Sequence, residues 1–368
     1  MKNMNSKQIV AVFAIILSFL SAAHCVALAA SGNSAAAVAK KVFVDAKPLF
    51  SVAVGKDSPE KIGFAMSTES SNDDYDVYTM PAAFQSYESL GFIIVLDSIN
   101  NRLCKYSNAG KFIGAVEIPF KFQAIDFSWF PGSKRAFIAF QDVPRIGAFD
   151  VDFASGDVKI SSSKLLDLGT AEDSETKDFY AQNIWPCDIA NASENIIVAN
   201  LSSSPGADYA AYSLKDGKFA KIKDIDGAFN NLSASINSTT AVGVYSDTME
   251  AKIVMRDLKT AKTNEFVLPE EFFQKAEGMS CHTLKAAGCD SKGNIYVEAL
   301  YGAGENTTGS EIVKFGSDGK IAGRRAIFSS PEMLTNRYIS VDATGSVYYM
   351  KYDEAKREIG FYRFESDK

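Results

Sequence analysis

The chain has 368 residues, 46% hydrophobic and 23% charged, with a formal net charge of −7. An acidic surface of that kind disfavours nucleic acid and anionic lipid as partners. The length exceeds a minimal domain, yet repeat folds reach this size as one unit.

Residues 1–30 read as a signal peptide. Lys2 and Lys7 give a positive start, the apolar run Ile9 to Leu20 is short for a bilayer span, and small residues close the segment at Ala27-Leu28-Ala29. The rival readings are an uncleaved anchor and a lipoprotein modified at Cys25, against which the bulky His24 argues. Losing Lys2 and Lys7 leaves 36 basic against 45 acidic residues, a net charge of −9. No second apolar run of spanning length follows. The expectation is an exported protein (periplasmic, secreted or at the cell surface) with no membrane span after cleavage. Residues 31–40, Ala-rich over Ala35 to Ala39, read as a flexible mature N-terminus, and residues 41–368 as a single domain.

Six apolar runs punctuate that domain. They are FIIVLD (Phe92 to Asp97), AFIAFQ (Ala136 to Gln141), NIIVAN (Asn195 to Asn200), TAVGVY (Thr240 to Tyr245), NIYVEA (Asn294 to Ala299) and SVYYMK (Ser346 to Lys351). Counted from Ile93, Phe137, Ile196, Ala241, Ile295 and Val347, the spacings are 44, 59, 45, 54 and 52. Propeller blades repeat at about 40–50 residues plus insertions. A turn precedes each run, and a second strand ending in an aromatic or Met follows it. In five copies a Gly, Asn, Asp or Lys-Thr-Ala turn and a further strand come next. Each copy is therefore a four-stranded antiparallel meander, and the fold class is all-β, a six-bladed β-propeller. The sixth copy lacks a fourth strand, while Lys40 to Val54 is strand-like ahead of the first copy. The simplest closure lets that N-terminal strand complete the last blade.

The stretch FIIVLDSINNRLCKYSNAGKFI resembles the NHL repeat, with its glycine turn, apolar strand ending in Asp, Asn-Arg pair and aromatic strand. Residues 290–320 resemble it too, with Ala299 at the Asp position; Gln141, Asn200, Tyr245 and Lys351 stand there in the other copies. The resemblance implies a fold and no particular activity.

First and third turns of the copies are short. The insertions, residues 56–79, 167–182 and 269–282 between blades and 202–208 and 301–310 within them, all fall on the other face. Loops on a rigid scaffold are where binding resides. STESSNDDYD and AEDSETKD read as solvated, whereas Pro269 and Gly278 bracket a short helix, EEFFQKAE. On the loop-rich face the inner strands begin near Pro81, Phe122, Trp185, Asn231, His282 and Arg337. The second strands end there at Asp97, Gln141, Asn200, Tyr245, Ala299 and Lys351.

Binding of a protein, peptide or glycan is thus expected at a rim formed by Asp97, Gln141, Asn183, Trp185, Asn200, Tyr245, His282, Arg337 and Lys351. Trp185 either stacks on a ligand or packs between blades. A structural envelope or surface-assembly component is a further reading. Enzymatic readings are thin. His282 is the single histidine of the mature chain, and Cys281 beside it on a strand faces the other way. Resemblance to calcium-dependent lactonase and phosphotriesterase propellers implies a metal over the channel, for which Asn183, Asp188, Asn200 and Glu298 are the oxygen donors. Amidating lyases are excluded by their histidine-rich sites. Glu298 alternates with Val297, so solvent is the other environment open to it. No cofactor is required by the sequence, and calcium is the one it admits. Cys104, Cys187, Cys281 and Cys289 form two disulfides or remain buried thiols, their pairing open.

Overall fold

The structure is a computed structural model describing residues 48–69, 75–79, 81–140, 145–155, 158–167, 185–193, 196–203, 206–215, 218–224, 231–234, 240–246, 251–257, 260, 262–268, 274–276, 279–303, 306–327, 333–334 and 337–364. Residues 1–30, read as a signal peptide, residues 31–40, read as the mature N-terminus, and the segment AEDSETKD lie outside them.

Six antiparallel blade sheets follow one another in chain order among the described residues. Blade one comprises Ala83–Tyr87, Phe92–Asp97, Arg102–Ser107 and Phe112–Glu117. Blade two comprises Ala124–Phe130, Arg135–Phe140, Arg145–Val151 and Ile160–Asp167. Blade three comprises Trp185–Ser193, Ile196–Ser203, Gly206–Lys215 and Lys218–Asp224. Blade four comprises Asn231–Ala234, Thr240–Ser246, Ala251–Asp257 and Thr263–Val267. Blade five comprises Met279–Cys289, Ile295–Ala303, Asn306–Phe315 and Ile321–Ile327. Blade six comprises Ile339–Val341, Val347–Asp353 and Glu358–Phe364, and its outer strand is the N-terminal Phe50–Ala53. The fold is the six-bladed β-propeller expected from the spacing.

The apolar runs are continuous because each blade buries both of its faces. Phe92, Ile94 and Leu96 point into a cluster shared with Phe127, Trp129 and Phe149 of blade two. Their alternates Ile93 and Val95 point the other way, into a cluster with Phe84, Tyr348, Met350 and Phe361. A period of two along one strand thus feeds two interfaces, and the core is a ring of such interfaces. Trp129 anchors the first of them. Its indole Nε1 donates to Val151 O at 3.0 Å, and the Tyr87 hydroxyl of blade one donates to Trp129 O at 2.5 Å.

Closure is by β-pairing of the two ends. Phe50 lies opposite Phe361 and Ala53 opposite Glu358. The Phe50 and Phe361 rings stack at 4.9 Å, and Phe84 meets Phe361 edge-on at 5.5 Å. Gly110, at φ +80°, makes room for Phe50, whose Cβ would lie 2.6 Å from any Cβ added there.

The face with the short turns is clamped by aspartates. Asp290 Oδ1 accepts from the Lys292 and Asn294 amides at 2.9 and 3.0 Å. Asp342 Oδ1 does the same for Thr344 and Ser346, and its Oδ2 accepts from the Glu88 amide of blade one at 3.1 Å. The opposite face is built up with further strands. The flanks of STESSNDDYD are a hairpin, Ala65–Glu69 with Tyr75–Thr79, to which Met333–Leu334 adds in parallel. Of the expected helix EEFFQKAE, the described part Gln274–Ala276 is a strand pairing with Met279 and Ser280, and the remaining residues lie outside the described residues. An isolated turn or two of helix is marginal on its own, whereas the inner strand of blade five offers a ready ladder. The insertions at 202–208 and 301–310 are not loops but hairpin extensions, with strands running to Ser203 and Ala303 and resuming at Gly206 and Asn306.

Candidate binding site on the loop-rich face

Asp97, expected at the binding rim, is fully buried. Its carboxylate accepts from the Gly63 amide at 3.0 Å, from the Asn100 side chain at 2.8 Å and from Arg102 Nε at 2.8 Å. A Cβ on Gly63 would lie 2.5 Å from Asp97 Oδ1, so only glycine permits this approach. Asp97 is therefore a staple joining the blade-one hairpin to the segment after the closing strand, and it has no lone pair directed at solvent.

Arg337 also turns inward. Its guanidinium donates to Asp126 Oδ1 at 2.9 Å, its amide donates to Ala82 O at 3.0 Å, and the ring of Phe127 lies beneath it at 5.5 Å. One side chain from the entry of blade six thus reaches past blade one to blade two at the mouth of the channel. Lys351 sits half-buried opposite Gly360 on the second strand of blade six.

Trp185 opens the inner strand of blade three opposite Ser202, and Tyr245 lies opposite Lys252 on blade four. Asn200 faces Asp188 across the ladder. Gln141 and Asn183 lie outside the described residues, as do the side chains of Trp185, Asp188, Asn200, Tyr245 and His282. The ladder between Cys281–Tyr301 and Thr283–Leu300 skips His282, so this histidine is the extra residue of a β-bulge. Strict alternation from Cys281 does not hold there.

Glu298, a candidate metal ligand on blade five, does not face solvent; it is 2% exposed. The Tyr338 hydroxyl of blade six donates to its Oε1. Burial raises the Glu298 carboxyl above its ordinary value of 4.5, opposed by Lys285 opposite it and by the Tyr338 hydrogen bond. Its carboxyl is a contact between blades five and six. Among the described residues no three His, Cys, Asp or Glu side chains group together as metal ligands do.

A folded pKa raised above the unfolded one stabilises fully below 4.5, and that contribution is lost as pH rises through the folded value. The difference in thermal midpoint between Glu298→Gln and wild type should therefore move in favour of the variant as pH rises above about 4.5. A difference that stays flat with pH would remove the buried acid from the account. Glu298→Ala should cost about 1–3 kcal/mol near pH 4.5 by stranding Tyr338, and less as pH rises.

Cys104, Cys281 and Cys289 form no disulfide, and the side chain of Cys187 lies outside the described residues. Burial pushes both Cys104 and Cys281 up to about 12, so the thiolate needed for nucleophilic attack is scarce at neutral pH. Iodoacetamide at pH 7 should label neither in the folded protein; rapid labelling of Cys281 would restore it as a nucleophile.

A cleft of about 540 Å³ opens on the loop-rich face between blades one and two. Three separate segments form it: Lys56 after the closing strand, Ser98, Ile99 and Asn101 in the blade-one hairpin, and Lys121 to Gln123 in the crossover. Its wall is rigid. Asn101, at φ 50°, donates through Nδ2 to Ile118 O and Phe120 O at 3.1 and 3.2 Å. Phe120 and Phe122 both pack on Phe140 at 5.5 Å. Of these residues only Phe122 figured in the sequence reading, as the start of an inner strand. Two lysines sixty-five positions apart carry no periodic signal, and Asn101 reads as an ordinary turn residue.

No protein-family model matches the chain, and no curated protein matches it in sequence. Among solved structures, hydrazine synthase from Kuenenia stuttgartiensis is similar at 11% identity, covering 75% of this chain and 77% of that one, with a TM-score of 0.45. A luciferin-regenerating enzyme is similar at 13% identity over 82% of this chain and 95% of that one, with a TM-score of 0.47.

Proposed function

We propose that this chain is an exported, non-catalytic β-propeller that binds a protein, peptide or glycan on its loop-rich face. One observation carries the reading: among the described residues, the added structure is on one side. The accessory hairpin with its parallel strand, the extra strand of blade five, the two lengthened hairpins and the cleft stand on the face opposite the aspartate-clamped turns. A propeller serving only as a spacer has no use for such asymmetry. Export is supported by residues 1–30, and kinship with NHL-repeat propellers by blade one, where Asp97, Asn100 and Arg102 of the motif close into one network.

A calcium-dependent hydrolase is the second reading, supported by Asp188 and Asn200 lying opposite each other in register. Metal analysis of the purified protein, esterase and lactonase assays with and without calcium, and an array of glycans and peptides separate the two. The scaffold reading predicts a saturable array ligand and no turnover. Calcium-dependent ester or lactone hydrolysis would overturn it.

A further inference from the structure

We propose that the cleft between blades one and two binds an acidic oligosaccharide, its carboxylates paired with Lys56 and Lys121 and one sugar face laid on Phe122. The inference rests on the scaffold reading and names its ligand class.

Charge is the first argument. The chain is net negative, yet among the described residues no carboxylate lines the cleft. Neighbouring basic side chains are ion-paired: Lys61 with Asp57 and Arg102 with Asp97. Lys56 and Lys121 are exposed and have no ion-pair partner among the described residues. Screening confines the repulsion of the acidic surface to about 8 Å at physiological salt, so pairing within the cleft decides the affinity of a short ligand.

Shape and polarity supply the second. Phe122 is 37% exposed, with its ring held in place by Phe140. A fixed aromatic ring offers an apolar platform, and polar groups beside it set orientation. Here those groups are the Gln123 carboxamide and the Ser98 hydroxyl, which match sugar hydroxyls. The cleft volume falls within the range of about 300–1,000 Å³ usual for ligand sites. An acidic peptide would satisfy the lysines but leave the ring and the carboxamide without a matching flat, hydroxylated surface.

The test is calorimetric titration of the purified protein with a hexauronate, the corresponding neutral hexasaccharide and hexaglutamate at physiological salt. The hexauronate should bind saturably, with the other two at least about tenfold weaker. Lys56→Glu with Lys121→Glu should weaken binding by about tenfold or more, and Phe122→Ala should weaken it at unchanged thermal midpoint. Lys111→Glu with Lys292→Glu makes the same charge change on the exposed turns of the opposite face and should leave binding unchanged. Equal binding of either control ligand, equal loss in the opposite-face variant, or no hexauronate binding would each overturn the inference. A saturable array ligand of another class would do so while leaving the scaffold reading intact, whereas calcium-dependent turnover would remove that reading itself.

Discussion

Deletion of residues through Ala53 should lower the unfolding free energy by about 3–6 kcal/mol, the transfer cost of exposing two buried side chains and their neighbours. The segment contributes Phe50 and Val52 to the interface between blades six and one. It also supplies the ladder from Phe50–Phe361 to Ala53–Glu358. Its loss exposes Phe361 and leaves Glu358–Phe364 as an open edge. Urea denaturation reads the effect directly. The truncated protein should lose midpoint and tend to self-associate. Unchanged stability would mean that the ring does not depend on the N-terminal strand. Phe50→Ala in the full chain should cost about 3–5 kcal/mol and separates ring closure from general truncation effects.

Asp97→Ala is the second large effect, about 3–5 kcal/mol. Removing this carboxylate leaves Arg102, whose side chain is only 15% exposed, with a charge lacking its counter-ion at 2.8 Å. It also strands the Gly63 and Asn100 amides. Asp97→Asn keeps part of the acceptor capacity and should cost clearly less. Thermal melts of the two variants give the ordering, and equal melts for Asp97→Ala and wild type would show that the staple contributes nothing. Because the network supports the wall of the cleft, Asp97→Ala should also weaken any ligand held there.

The architecture was legible because it is written in periodicity. Runs such as FIIVLD and SVYYMK are buried on both faces, and a spacing near fifty residues admits few other folds. Ring closure followed from counting strands at the two ends. Local details yielded less. The EEFFQKAE segment carries helix punctuation, but three of its residues are captured by the open ladder at Met279 and Ser280. Propensity loses to tertiary pairing there. Asp97 carries the repeat motif and so drew attention as a rim residue, yet a motif position at a strand end can equally be a staple. Arg337 shows the same ambiguity: its place at a strand entry was visible, and its partner Asp126, 211 residues away, was not. His282 was assigned by alternation, which a bulge interrupts. Lys56 and Lys121 were invisible because only folding brings them to one cleft.

The central claim is that ligand meets the loop-rich face. Hydrogen exchange of the purified protein, free and saturated with the tightest ligand from the array, tests it most directly. The account predicts new protection in residues 55–64, 98–102 and 118–123, and none in the turns at 88–91, 108–111, 291–293 and 343–345. Protection centred on those turns would contradict it.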